Sequence, residues 1–441
     1  MVGFGDIRVA KRSDWFLQRI VATGSLVVKR LGGDRAGEIS AHRLLSSPHA
    51  SLAALIDTIS VRTAEACEGC DVVCAQDTSE INFKGRSVAR EGLGAGGDGV
   101  SAGFFVHPLV AMEADTGAVL GLAGAVIWTR QPDKVTPKAT RDVGDRESQR
   151  WLQATERAGE VLAKARRITV VADRESDIYH LFANRPANVE LIVRAAQNRA
   201  LEEGGVLFDA LLSTQPVTEA NVTIAPRGPG DKGRVATVAL RCMRLNIKRP
   251  ASLRPEDAAD ATAMTLVEVR EVDPPAGAKP LLWRLLSSAD RSAGEIVRLY
   301  RQRWRIEEVF RTLKSGLGLP DTQMHVAERI LLLAAFALAA AVRIIQLVDA
   351  RDGTKRPLED AIDPVFKPAL TAISRQLEGK TQKQKNPHPP NSLAFLSWIC
   401  ARLGGWNCYY KPPGPKTMTT GWNALAQQLI GYSIAMQNEN V

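Results

Sequence analysis

Tyr300, Arg303, Glu307 and Lys314 recur at offsets of three, seven and fourteen within one run, Tyr-Arg-Gln-Arg-Trp-Arg-Ile-Glu-Glu-Val-Phe-Arg-Thr-Leu-Lys. On a helix turning about 100° per residue, these four side chains fall within roughly 60° of one another. A carboxylate, two cations and a phenol then share one stripe and can face one ligand. That set suits a phosphodiester: the acid holds a divalent cation and the basic groups hold phosphate oxygens. Leu299, Ile306, Phe310, Leu313 and Leu317 form an apolar stripe beside it, leaving Arg305, Glu308 and Thr312 for the remaining face. The same charges would equally suit a solvated surface helix, so the chemistry needs further carboxylates.

Two stand at the ends of apolar runs. Asp77 closes Val-Val-Cys-Ala-Gln-Asp, and Asp173 closes Ile-Thr-Val-Val-Ala-Asp. Either alone suits a turn or a helix cap. Together with Glu307 they make an all-oxygen set for Mg²⁺, or Mn²⁺ in its place, because acids at strand ends are rigidly aimed and a helix packed on the sheet can add a third. Two ions about 4 Å apart would activate the attacking oxygen and stabilise the leaving oxygen at phosphorus. Repulsion among the acids makes the empty site unfavourable, with no Lys required inside the cluster.

The elements that must aim these groups follow from periodicity. Residues 1 to 70 carry helical patterns, and the first 50 hold eight Lys or Arg against four Asp or Glu, a surplus of 8 − 4 = 4. This is a small helical module in which Arg8, Lys11, Arg12, Lys29, Arg30, Arg35 and Arg43 can touch backbone phosphates. Short apolar strands are expected at Val72 to Asp77, Phe104 to Met112 and Val119 to Trp128. A helix from about Asp145 to Ala165, a strand at Ile168 to Ala172, a helix near Ser176 to Ala183 and a strand at Val189 to Val193 come next. Strands followed by strand–helix alternation predict an α/β fold with a mixed sheet covered by helices. The Gly/Pro-rich loop Pro226 to Arg234, with strands at Val235 to Ile247, Met264 to Val272 and Leu281 to Leu286, predicts an inserted β subdomain over about 200–288. The Tyr300 helix and an Ala327 to Val348 helix return the chain to the main sheet, giving a catalytic domain over 71–370. Lys380, Lys383 and Lys385 beside Pro387, Pro389 and Pro390 mark a linker in a helical C-terminal part, 371–441.

Composition bounds the function. The 441 residues exceed one ordinary core, and a formal charge of +9 suits a polyanionic partner. Six scattered cysteines, and a Met1 to Ala10 segment without the apolar core of a signal peptide, predict a reducing cytoplasm. Cys67, Cys70 and Cys74 lack the partners of a four-ligand zinc site. Ile330 to Val342 is the most apolar run, but Arg329 and Arg343 bound it well short of the roughly 20 residues of a bilayer span. A buried core helix is expected, and no membrane partner.

The Tyr-x2-Arg-x3-Glu-x6-Lys pattern at Tyr300, Arg303, Glu307 and Lys314, after Gln76-Asp77-Thr78 and Asp173-Arg-Glu-Ser-Asp-Ile178, resembles the DDE transposases of the insertion-sequence-four family. The likeness extends to Asp145-Arg-Glu-Ser148 with Trp151, to Leu191-Ile-Val-Arg194, to Arg303-Trp-Arg-Ile-Glu-Glu308 and to Ala401-Arg-Leu-Gly-Gly405. The resemblance implies an RNase H-like catalytic domain with a β insertion before the Glu helix, and Asp77, Asp173 and Glu307 as metal-binding acids holding two ions. It implies cut-and-paste transposition through a DNA hairpin, with Tyr300, Arg303 and Lys314 on phosphates near the cleaved end and Arg194 as a further phosphate contact. Trp283, in Pro-Leu-Leu-Trp-Arg-Leu-Leu, resembles the residue that stacks on a flipped nucleotide, although a strand Trp is equally a core residue. The implied partners are the double-stranded terminal repeats of a transposon, target DNA, and a second copy of the chain paired through the C-terminal segment. The implied setting is the bacterial cytoplasm, with nucleoid association on DNA binding. A catalytically silent DNA-binding regulator and a simple metal-dependent endonuclease are the alternatives.

Overall fold

The computed structural model describes residues 6–83, 90–130, 148–212, 214–224, 233–351, 353, 356–409 and 412–438. Four helices come first: α1 (Ile7–Thr23), α2 (Val28–Gly32), α3 (Arg35–Leu45) and α4 (Leu52–Cys67). Their ends are written locally. Asp6, Asp34 and Ser51 cap α1, α3 and α4 by accepting backbone N–H bonds, and Gly24, at φ 57°, takes the left-handed turn that closes α1.

The strands are β1 (Asp71–Gln76), β2 (Ser79–Asn82), β3 (Gly103–Glu113) and β4 (Val119–Trp128), followed after α5 (Gln149–Val161) by β5 (Arg167–Ala172). Helix α6 (Tyr179–Asn184) and β6 (Val189–Arg194) complete the alternation, and β7 (Thr218–Ile224), β8 (Arg234–Lys248), β9 (Ala261–Glu271) and β10 (Leu282–Ser287) follow. All join one 10-stranded sheet in the order β2-β3-β1-β5-β6-β10-β9-β8-β7, with β4 paired to β3. β1, β5 and β6 run parallel, and the outer pairings are antiparallel.

The inserted strands β7 to β10 follow β6 in the chain and form one flank of the main sheet, with β10 paired directly to β6 through Leu285↔Arg194. Strands β2 and β7 were not anticipated, because Ser-Glu-Ile-Asn and Thr-Glu-Ala-Asn-Val-Thr-Ile mix polar residues through both faces, as strands at a sheet edge can. Asp145, Arg146 and Glu147, and most of the Pro226 to Arg234 loop, lie outside the described residues.

Beyond the sheet come α7 (Ala293–Arg301), α8 (Arg305–Arg311), α9 (Ala327–Ala350), α10 (Lys367–Leu377), α11 (Leu393–Leu403) and α12 (Pro415–Asn438). Helix α9 is the apolar run, long and apolar enough to cross a membrane, yet 83% of its most apolar window is buried inside the protein. Phe16 of α1 meets Phe336 of α9 edge-on at 5.0 Å, and Ser397 of α11 donates to the Leu347 carbonyl at 2.6 Å. Helices from the two ends of the chain, α1 and α11, therefore pack on α9.

The sheet separates two apolar layers. Val73, Ala75 and Val171 bury on the side of Ile306, Val309 and Phe310, whereas Val72, Cys74, Val170 and Ala172 bury against Trp151, Leu152 and Ala158 of α5. Alternation along a strand thus decides which side chains face α8 and which face α5.

Candidate active site

The parallel register of β1 on β5 pairs Ala75 with Val171. Carried two residues further, it sets Asp77 beside Asp173 on strands about 4.8 Å apart. Both continue the alternation of Ala75 and Val171, so both face the layer that holds α8 and Glu307. Backbone groups aim them: Thr78 N–H donates to Asp77 Oδ1 at 2.7 Å and Glu175 N–H to Asp173 Oδ1 at 2.9 Å. Asp173 also caps the short turn Arg174–Ser176.

The Tyr300 to Lys314 run is not one regular helix. α7 ends at Arg301, Gln302–Trp304 form a 3₁₀ turn, α8 follows, and Thr312–Gly316 form a π turn closed by Leu317 N–H on the Thr312 carbonyl at 2.8 Å. Gly318, at φ 70°, then takes the chain out in the left-handed region. The apolar stripe is buried as expected, from Leu299 to Leu317. The remaining face is not solvated: Thr312 is buried, and Arg305 pairs with Glu308 and reaches Asp349 on α9.

Arg303 and Glu307 nevertheless meet Asp77, Tyr300 comes within electrostatic reach of Asp173, and Lys314 comes within that of Glu307. Arg303 NH1 lies 3.0 Å from Asp77 Oδ2 and 3.6 Å from Glu307 Oε1, with side-chain exposures of 14% for Arg303 and Asp77 and 36% for Glu307. Burial pushes the Asp77 carboxyl up to about 7; Asp173 and Glu307 add to this, while Arg303 and the Thr78 amide oppose it. Burial alone would depress Arg303, but Tyr300, Asp77, Asp173 and Glu307 outweigh it and leave its pKa raised. Burial raises Tyr300 and lowers Lys314, the latter opposed by Glu80 and Glu307. Arg194, at the end of β6, is lowered by burial and by its neighbours Arg174 and Arg303, and its NH2 donates to the Leu282 carbonyl at 3.3 Å. Trp283, half-buried on β10, meets Tyr300 edge-on, with ring centroids 5.8 Å apart. The eight residues proposed for catalysis or DNA contact thus gather at one end of the parallel strands.

The donor set fits a hard divalent cation: three carboxylates, one of them short of compensating charge. It is not a preformed cage, since among the described residues no three His, Cys, Asp or Glu are drawn into ligand geometry. The sequence reading gave Arg303 to phosphate oxygens; the structure puts its guanidinium on Asp77 and Glu307 as well. An arginine four residues before Glu307 was the available signal. Periodicity also passed over His107, a fully buried polar residue in an apolar strand, and Arg150, whose Nε donates to Thr78 at 2.8 Å. Cys67, Cys70 and Cys74 are free thiols.

With this geometry in hand, one comparison bears on function. Residues 146–342, from just before α5 into α9 with Asp173 and Glu307 included and Asp77 upstream, match the family model of the transposase DDE domain, which supports a DDE transposase.

Proposed function

We infer that the protein is a transposase that cuts and joins DNA at the site formed by Asp77, Asp173 and Glu307. The observation that carries this reading is the convergence of three carboxylates from two parallel strand ends and one helix, ringed by Tyr300, Arg303, Lys314 and Arg194. Asp77, Asp173 and Glu307 would hold Mg²⁺ or Mn²⁺, two ions per site, which supply an activated oxygen and charge neutralisation at phosphorus. The chain's own contribution is positioning. Strand ends fix two acids, the α8 backbone brings the third, and the cationic groups offer bonds to phosphate oxygens.

The finer reading follows the likeness to the insertion-sequence-four family and its transposon-five transposase. Water nicks the transposon end; the freed 3′ hydroxyl attacks the opposite strand and closes a hairpin; a second water reopens it; the 3′ hydroxyl then joins target DNA. Each step displaces one oxygen at phosphorus by another, so one site can serve all four. Trp283 beside Tyr300 would stack on the flipped nucleotide. The N-terminal helices present Arg8, Lys11, Lys29, Arg30 and Arg43 as exposed cations for the terminal repeat. The C-terminal helices would pair two copies across two ends, in the cytoplasm and at the nucleoid.

A Mg²⁺-dependent nicking and strand-transfer assay on a matched terminal-repeat duplex tests the reading. Asp77→Ala, Asp173→Ala and Glu307→Ala should each abolish cleavage and retain end binding; cleavage retained in any of them overturns the assignment. Binding without nicking by the wild type would point to a regulator, and nicking without joining to a simple endonuclease.

A further inference from the structure

Behind the acids, on the face of the sheet turned away from Glu307, lies a buried polar chain that cation and phosphate binding do not account for. Gln76, His107 and Thr155 each have 0% exposure. Their bonds fix one another's direction. The Gln76 amide donates to Thr155 Oγ1 at 3.1 Å, and Thr155 Oγ1 donates to the Trp151 carbonyl at 2.8 Å. Gln76 Oε1 is thereby left to accept from His107 Nε2 at 3.1 Å. His107 stands edge-on to Trp151 at 4.7 Å, and burial followed by the nearby Arg150 charge lowers its pKa to about 3. Neutral, it accepts at Nδ1 from Thr78 Oγ1 at 2.9 Å, and the Thr78 oxygen accepts from Arg150 Nε at 2.8 Å. Arg150 NH2 then reaches Glu175 Oε2 at 3.3 Å.

The two ends of that guanidinium are what matter. Thr78 follows Asp77 and donates its N–H to it; Glu175 follows Asp173 by two residues and donates its N–H to it. Arg150 therefore ties together the two turns that aim the two aspartates. It is itself held, with a side chain 14% exposed and its guanidinium carbon 5.5 Å and 5.4 Å from the ring centroids of Trp128 and Trp151.

We propose that Arg150 is a positioning residue for the aspartate pair: it sets the separation at which Asp77 and Asp173 take a divalent cation, with His107 and Gln76 locking Thr78 behind it. The proposal rests on reading Asp77 and Asp173 as cation ligands. Partners beyond the ligands that orient them typically change metal affinity by about 10- to 100-fold when removed.

The test is Mn²⁺ binding to the full-length, DNA-free protein, followed by the electron paramagnetic resonance signal of free Mn²⁺, with a thermal melt of each variant. Asp77→Ala and Asp173→Ala define the site. Arg150→Met should weaken Mn²⁺ binding about 10- to 100-fold, Thr78→Val by a similar factor, and Arg150→Lys should recover part of the loss because an ammonium can serve one of the two turns. A purely structural role would lower the melting temperature of Arg150→Met and leave its Mn²⁺ affinity unchanged, which overturns the proposal. If Arg150→Met does not fold, Thr78→Val, close to isosteric and outside the ion pair, decides alone. Failure of the wild type to show a site sensitive to Asp77→Ala removes the cation reading and the proposal with it. A normal site unaffected by Arg150→Met and Thr78→Val removes only the proposal.

Discussion

His107 and Asp77 make opposite demands on the pH dependence of stability, and their near cancellation can be tested. His107 has its pKa lowered from 6.5 to about 3, so between those values the unfolded chain binds the extra proton and stability falls as pH falls. Between pH 7 and pH 5 that costs about 2 kcal/mol. Asp77 is raised from 3.8 to about 7, so in that window the folded chain binds the extra proton and stability grows as pH falls, again by about 2 kcal/mol. From these two groups the wild type should be nearly flat between pH 5 and pH 7. The carboxylates with lowered values, such as Glu268 and Glu295, start from 4.5 and lose their contribution mainly below this window. Asp77→Asn removes the opposing slope, so the variant should lose about 2 kcal/mol relative to wild type on going from pH 7 to pH 5; His107→Gln should gain about as much. Urea unfolding at pH 5, 6 and 7 with divalent cations chelated reads these differences, and groups common to all proteins drop out of the comparison. Parallel pH profiles for wild type and both variants would refute the reasoning: the buried His107 would not be held neutral, or Asp77 would not be held short of charge.

Arg303→Ala should destabilise the chelated protein more at pH 8 than at pH 6, by about 1–3 kcal/mol at the higher pH, because Asp77 loses its charged partner where it must be ionised; urea midpoints at the two pH values check it. Trp283→Ala should lower hairpin formation more than the first nick, since it removes the ring beside Tyr300 and leaves the acids in place; equal losses in a gel assay of both products would assign Trp283 to packing. Phe336→Ala should cost about 3–5 kcal/mol in chemical unfolding, because Phe336 is fully buried against Phe16. Removal of residues from 393 onward should give a chain that does not fold, visible as lost cooperativity in circular dichroism, because Leu393, Leu396 and Ile399 are buried in the layer that holds α9. Point changes on exposed positions of α12 are therefore the way to probe pairing of two copies.

Local patterns carried most of the candidate site. Asp77 and Asp173 could be found because each closes an apolar run, and parallel pairing of those runs is what a sheet with helical crossovers requires. Glu307 could be found because helical spacing survives an interrupted helix: the 3₁₀ turn at Gln302–Trp304 shifts the stripe and leaves Arg303 and Glu307 within 3.6 Å. Contacts with no periodic signature were not legible. Arg303 and Asp77 are 226 residues apart, and Arg150 and Thr78 are 72 apart. The joining of β10 to β6 is equally non-local, since a strand's pattern states which face is buried and not which neighbour it takes. A partial signal for the hidden network did exist. His107 interrupts Phe-Phe-Val-His-Pro-Leu-Val, and a polar side chain in a strand buried on both faces must find hydrogen-bond partners. Gln76, next to Asp77 and pointing the opposite way, is such a partner, on a strand that the structure pairs with that of His107 at Gln76↔Leu109. Asking where each buried polar group makes its bonds would have led from His107 to Thr78 and so to Arg150. The two aspartates are visible to pattern because they end strands and Glu307 because it keeps helical spacing, whereas Arg150, which bonds the turns beside the aspartates, is visible only to that accounting of partners.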